Sequence, residues 1–303
     1  MDSNQIAKQQ KINLALHAGL MDGMSEIKAE QGEALLLDVQ TNSLVGGGSL
    51  KDSGEGHYFI QEPLMSIAPP VILPAAIYLT IMQAKGNPDD IILEDSNTTL
   101  EYAFTQGMDD AIKQAIECYI PNGYYTQSVI MQHMGLLALE PDEEKPKIGK
   151  TEAENYQELK DMLFLPDNMM RWMNAVARCE DLDDSMEKVM HLFNAESVKK
   201  LRDMLHLNVT EGLAKGANSD VVPISGITFV SRQDKERRRK ISFCGYFPCD
   251  NPIYGIYVEL IRKEQLEDPV MGQWPELEKG AAIVCKTVAE MFVKQGQEHL
   301  LSK

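Results

Sequence analysis

Apolar residues recur at helical spacing near the N-terminus, where Ile6, Ile12, Leu16 and Leu20 predict an amphipathic helix over residues 4–30. Ala34 to Val39 is a short apolar run of strand type. Thr41-Asn42-Ser43 then supplies a turn, and Leu44 and Val45 predict a return strand whose end Gly46 to Gly48 loosen. From Pro63 to Ala84 the chain passes 22 residues without a charge. That length would suit a membrane span, but Pro63, Pro69, Pro70 and Pro74 fall inside it. Proline removes a helical hydrogen bond and clashes with the preceding turn. The run therefore predicts a buried loop followed by a core helix over Ala75–Gln83, stopped near Gly86-Asn87-Pro88. Further helices are predicted over Leu100–Ile120, Thr126–Leu137, 166–178 and 195–214, with 139–155 as an acidic, exposed loop. Met169, Met170 and Met173, at helical spacing, are predicted to fill core gaps. Strand character returns at Val221–Val230, Lys240–Tyr246 and Gly255–Ile261, before a last helix over 278–295.

Strands at both ends with helices between them predict an α+β fold, in which the first and last strands meet in one antiparallel sheet flanked by helices. Residues 28–66 and 215–303 would form the sheet part and 67–214 a mainly helical part of one domain spanning 1–303.

Composition narrows the function classes. At 303 residues, 44% apolar and 25% charged, the chain can bury a sizeable core without disulfide staples. Its net charge of -17 argues against nucleic acid and against an anionic membrane surface, both of which call for clustered Lys and Arg. The one basic cluster, Lys235 to Lys240, reads as a solvated hairpin tip. Cys118, Cys179, Cys244, Cys249 and Cys285 form no CxxC pair and are expected to be buried, reduced thiols. The N-terminus lacks the charged-then-apolar pattern of a signal peptide. Two locations are consistent with this. One is cytoplasmic, for a chain complete as written; the other is periplasmic or extracytoplasmic, for a soluble domain cut from a membrane-anchored protein.

Chemistry-bearing residues are scattered. His133, His191 and His206 lack metal-ligand spacing, and no metal or cofactor is expected. His57 reads as a loop histidine. Asp89-Asp90 and Asp181 to Asp184 sit at turns and read as helix caps. Gly46 to Gly48 precede no helix start of phosphate-binding type.

A dense local pattern lies in the C-terminal third. Ile241-Ser-Phe-Cys-Gly-Tyr-Phe-Pro-Cys-Asp-Asn-Pro-Ile-Tyr254 resembles the strand and turn that follow the active-site strand in penicillin-binding-protein transpeptidases, usually written "aSFvGYFPaDNPkYs". Ala34 to Val45 resembles that family's opening hairpin. Leu165-Pro166 through Ala177 resembles its "LTPLQ…NAVAN" helix, and Val198 to Gly212 the helix ending in "VVEeGTg". The chain is thus similar to the serine β-lactamase and transpeptidase superfamily, most of all to its division-type members.

The resemblance implies three motifs. The serine of Ser-x-x-Lys is a poor nucleophile until the amine on the same helical face takes its proton. The best register puts Val71 on that serine and Pro74 on that lysine; a second register puts Met65 and Ala68 there. No lysine or arginine lies between Lys51 and Lys85, so neither register supplies the base. Ser-x-Asn falls on Gly107, Met108 and Asp109. Lys-Thr-Gly falls on Ile227, Thr228 and Phe229, in a segment where Gly226 and Thr228 remain. Losing members of a catalytic set that acts as a unit costs on the order of a million-fold in rate. Ser66, Ser225 and Thr228 are the hydroxyls nearest the implied cleft, without an adjacent amine.

The reading that follows is a pseudoenzyme, a scaffold or binding module linked to peptidoglycan synthesis, with cell-wall or division proteins as partners. An active D,D-transpeptidase or carboxypeptidase with a displaced nucleophile, and a small-ligand binder reusing the cleft, are the alternatives. No nucleic acid and no membrane insertion by this segment are expected.

Overall fold

The computed structural model describes residues 3–54, 57–61, 67–120, 154, 156, 159–178, 195–232, 234–263 and 275–294. The predicted Thr126–Leu137 helix, nearly all of the 139–155 loop, Asp181 to Asp184, Met65, Ser66, His133, Cys179 and His191 lie outside them.

A six-stranded antiparallel sheet organises the molecule: β1 (Gln31–Asp38), β2 (Leu44–Asp52), β3 (Tyr58–Gln61), β6 (Ser225–Val230), β7 (Arg238–Phe247) and β8 (Tyr254–Lys263). Its order is β3-β2-β1-β8-β7-β6, so the first and last strands of the chain do pair, through β1 and β8. Both faces of β1 are covered. Its period-2 alternation sends Leu35 and Leu37 into one core and Ala34 and Leu36 into the other.

The second of these cores lies under α1 (Ser3–Ile27) and α7 (Pro275–Lys294). The first lies under the intervening helices α2 (Leu73–Gln83), α3 (Leu100–Thr105), α4 (Asp109–Tyr119), α5 (Pro166–Ala177) and α6 (Ala195–Thr210). A two-stranded ribbon, β4 (Ile91–Leu93) with β5 (Thr98–Thr99), precedes α3. Met169, Met170 and Met173 are buried in the first core, as their spacing predicted.

Several boundaries differ from the sequence reading. The glycines after Val45 do not end the strand, because β2 runs on to Asp52. Gly46 lies directly beneath α1, where a Cβ would come 2.6 Å from Ile12 Cγ2, so its smallness serves packing. The helix predicted over Leu100–Ile120 is two helices. Gly107 turns left-handed at φ 59°, and Leu213 N donates to Thr105 O (3.3 Å) while Asn208 Nδ2 donates to the same oxygen (2.9 Å). Hydrogen bonds from the end of α6 thus compete with helix propagation at that point. The helix read over 195–214 ends at Thr210, and the strand read from Val221 begins at Ser225.

The thiol expectation also needs correction. Cys244 and Cys285 are buried, but Cys118 is exposed on α4 and Cys249 is half-buried in the turn after β7; all four are free. Asp90 caps no helix: it accepts from Asn87 N (2.7 Å) and from the Tyr119 hydroxyl, while Thr99 caps α3. His57 is exposed beside β3. Lys235 to Arg237 form the exposed β6–β7 turn, and Arg238 to Lys240 open β7.

Candidate functional site

The edge strand β6 is one wall of a cleft of about 540 Å³. Pro74 of α2, the turn from Gly107 into α4, Tyr156, Lys160 and Glu278 complete it. Each element arrives there for a local reason. Proline suits the first turn of α2, where its missing N–H would have no intrahelical partner. Asp109 and Asp110 open α4, where carboxylates favour the positive end of the helix dipole. Lys160 is held near β6 because Ala68 and Phe164 exchange backbone hydrogen bonds of 2.8 and 2.7 Å, tying the segment before α2 to the segment before α5.

Of the seven positions aligned to the three motifs, Pro74, Gly107, Asp109, Thr228 and Phe229 line this cleft together. Val71 and Ile227 do not; they are buried behind it, in the core shared with α2. Ile227 is 3% exposed and Phe229 7% exposed, so the outlook of the strand toward α2 is hydrocarbon. Ala68, from the second register, is buried at its backbone bridge to Phe164. Thr228 points a hydroxyl that finds no hydrogen-bond partner. Ser225 is buried at the start of β6 and does not line the cleft.

The polar chemistry of the cleft comes largely from residues that the sequence reading did not single out. Lys160 Nζ sits 2.5 Å from Asp109 Oδ2 and 5.5 Å from the centre of the Tyr156 ring. Tyr156 also donates its hydroxyl to Asp109 Oδ1 at 3.4 Å. Burial, and then the Asp109 charge, push the Tyr156 phenol up. Glu278 reaches the same cleft from α7 while only 7% exposed, and its Oε2 has no hydrogen-bond partner. Burial pushes its carboxyl up to about 8; the Asp109 charge adds to this and Lys160 opposes it. No spacing signal marks this group, because Lys160 and Asp109 are 51 residues apart and Glu278 joins them only through the fold.

The cleft therefore holds an ammonium paired with a carboxylate. Among the described residues, the hydrogen bonds of lysine side chains run to carboxylates and to the carbonyl of Ile67, none to a serine hydroxyl. Nor is there, among them, a group of His, Cys, Asp and Glu placed to hold a metal ion. A second buried polar group lies deeper in the sheet. Lys240 Nζ bonds Glu259 Oε1 (2.9 Å) and Tyr257 donates its hydroxyl to Glu259 Oε2 (3.1 Å), so each charge is satisfied internally.

No protein-family model matches this chain, and no curated protein matches it. Solved structures do. The transpeptidase domain of the FtsI4 D,D-transpeptidase from Legionella pneumophila is 14% identical, with a TM-score of 0.67 over 93% of this chain and 96% of that one. Penicillin-binding protein 3 of Mycobacterium tuberculosis, in complex with aztreonam, is 14% identical, with a TM-score of 0.68 over 96% of this chain and 78% of that one. The transpeptidase domain of Burkholderia pseudomallei penicillin-binding protein 3 is 14% identical, with a TM-score of 0.64 over 94% of each. This chain has the α+β fold of the penicillin-binding-protein transpeptidase domain.

Proposed function

We propose that this chain is a transpeptidase-like domain that has kept the fold and given up acyl transfer. In this reading it serves as a scaffold or binding module linked to peptidoglycan synthesis or cell division. One observation carries the reading. Where the fold's chemistry would need a hydroxyl primed by an amine and a cationic strand residue, the chain offers Val71, Pro74 and Ile227, and Phe229 fills the adjoining strand position. A hydroxyl without a neighbouring base is a weak nucleophile. The amine that lines the cleft, Lys160, is paired with the Asp109 carboxylate and bonds no serine hydroxyl. A role beside cell-wall or division proteins follows from the kind of protein that shares the fold, and fold alone is a weak guide to partners.

Incubation with a fluorescent penicillin, followed by denaturing electrophoresis, tests the reading. No band above background is expected. A stoichiometric label that survives denaturation, traced by peptide mapping to one serine, would sink it in favour of a displaced nucleophile.

A further inference from the structure

The cleft holds one ammonium of its own, Lys160, against the Asp109 carboxylate and the Tyr156 ring. It also carries a carboxyl from α7. Glu278 Oε2 is buried without a hydrogen-bond partner, and so is Thr228 Oγ1 of β6, on a residue only 5% exposed. Buried polar atoms usually find a partner, and here two without one belong to residues that line the same cleft of ligand size. Its chemistry can be read from the lining. Carboxylate and hydroxyl oxygens accept hydrogen bonds, and an alkylammonium supplies three donors and no acceptor. Among the described lining residues, Asp109, Asp110 and Glu278 carry carboxyl groups and Lys160 carries an ammonium. Asp110 is taken up at the rim by Lys113 (3.4 Å).

We propose that the cleft beside β6 takes a small organic cation, a molecule carrying a primary ammonium, between the carboxyl groups of Glu278 and Asp109 and the hydroxyl of Thr228. The inference rests on the reading of the cleft as retained for binding, and it adds the ligand class.

Binding is coupled to a proton. The free Glu278 carboxyl is held neutral at pH 7 by burial and by Asp109. When the ammonium arrives, the carboxyl O–H gives its proton to solvent and the resulting carboxylate pairs with the cation. Asp109 of α4 and Lys160 are the charged groups that act on Glu278. On the other elements packed against α7, Asp22 and Glu26 of α1 are bonded to Thr287 and Lys279, and Lys215 is exposed. Glu276 is exposed on the same helix.

The test is calorimetric titration of the full chain with n-butylammonium chloride at matched ionic strength, in phosphate and in HEPES, a buffer without a primary amine. Saturable binding is expected, with about one proton released per amine at pH 7 and affinity rising by up to about tenfold per pH unit toward pH 8. Butanol and butyrate should not bind. Glu278→Gln should remove the proton release and weaken binding at least about tenfold, the effect of one lost ion pair in a desolvated site. Thr228→Val, a near-isosteric change, should weaken binding several-fold and stands in if the Gln variant does not fold. Absence of saturation, binding without proton release, or wild-type affinity in the variants would overturn the proposal. A penicillin label sinks the pseudoenzyme reading whatever the amine does. Absence of amine binding sinks only the ligand inference.

Discussion

Glu278 sets a pH dependence on the protein's own stability, separate from any ligand. Its carboxyl titrates near 4.5 when solvated and at about 8 in the fold. Below the lower value both folded and unfolded chains hold the proton. Between the two values the unfolded chain loses it and the folded chain retains it, so stability falls as pH rises through that window. The loss over the full window is on the order of several kcal/mol, at roughly 1.4 kcal/mol per unit. Glu278→Gln keeps the shape and removes the titration. Its advantage over the parent, measured by urea denaturation, should be small at pH 5 and should grow steadily to pH 8. A constant difference across that range would mean that the carboxyl is better solvated than its position indicates. Phe229 and Ile227 are the other single positions that matter. Their hydrocarbon was plain in the sequence, but only the fold shows that they are buried in the core shared with α2 while the neighbouring Thr228 is left with a free hydroxyl.

At the scale of elements, α1 and α7 approach more closely than side chains usually allow. A Cβ on Gly23 would come 2.5 Å from Gly280 O and 2.5 Å from Val284 Cγ2. In an exposed helix, Gly→Ala would stabilise by about 1 kcal/mol. Here the carbonyl oxygen belongs to backbone and cannot swing aside, so overpacking of about 1–3 kcal/mol wins. Gly23→Ala should therefore lower the urea midpoint, with the slope unchanged. A gain in stability would show that α7 can slide along α1. Legibility divides at the same scale. The apolar α2 and the strands β1, β7 and β8 were readable as apolar runs, because most of their positions are buried, and α1 because Ile12, Leu16 and Leu20 recur at helical spacing and are buried. The edge strand β3 was not, since Tyr58–Gln61 has two large apolar residues turned to solvent, Phe59 and Ile60, and no alternation to signal it. The break at Gln106–Met108 was missed because its cause lies in hydrogen bonds to residues about a hundred positions away. The cleft was half legible. The aligned motif positions pointed to its walls, whereas Lys160, Tyr156 and Glu278 carry no local pattern.

For the molecule as a whole, the net charge of -17 is the dominant long-range term. A folded chain with 46 acidic and 29 basic residues concentrates like charge that the expanded chain spreads out, so self-repulsion opposes folding. Against this stand ion pairs such as Lys199–Asp203 and Arg171–Asp167, in which both partners are solvent-exposed. Exposed pairs of this kind contribute about 0–1 kcal/mol each, and salt weakens them as well. The two effects of salt have opposite signs, and the excess of 17 negative charges decides between them. Raising the salt from ~0.01 M to ~1 M shortens the screening length from about 30 to 3 Å, which removes repulsion between distant acids while the close pairs are screened less. The melting temperature at pH 7 should rise by a few degrees over that range, at roughly 2–4 °C per kcal/mol for domains near this size. The rise should be similar with sodium chloride and tetramethylammonium chloride, because screening depends on charge alone and neither cation offers N–H donors to the cleft. A fall in melting temperature would place the paired charges, and not the unpaired acids, in control of stability. A rise specific to primary ammonium salts, absent in Glu278→Gln, would separate occupation of the cleft from general screening.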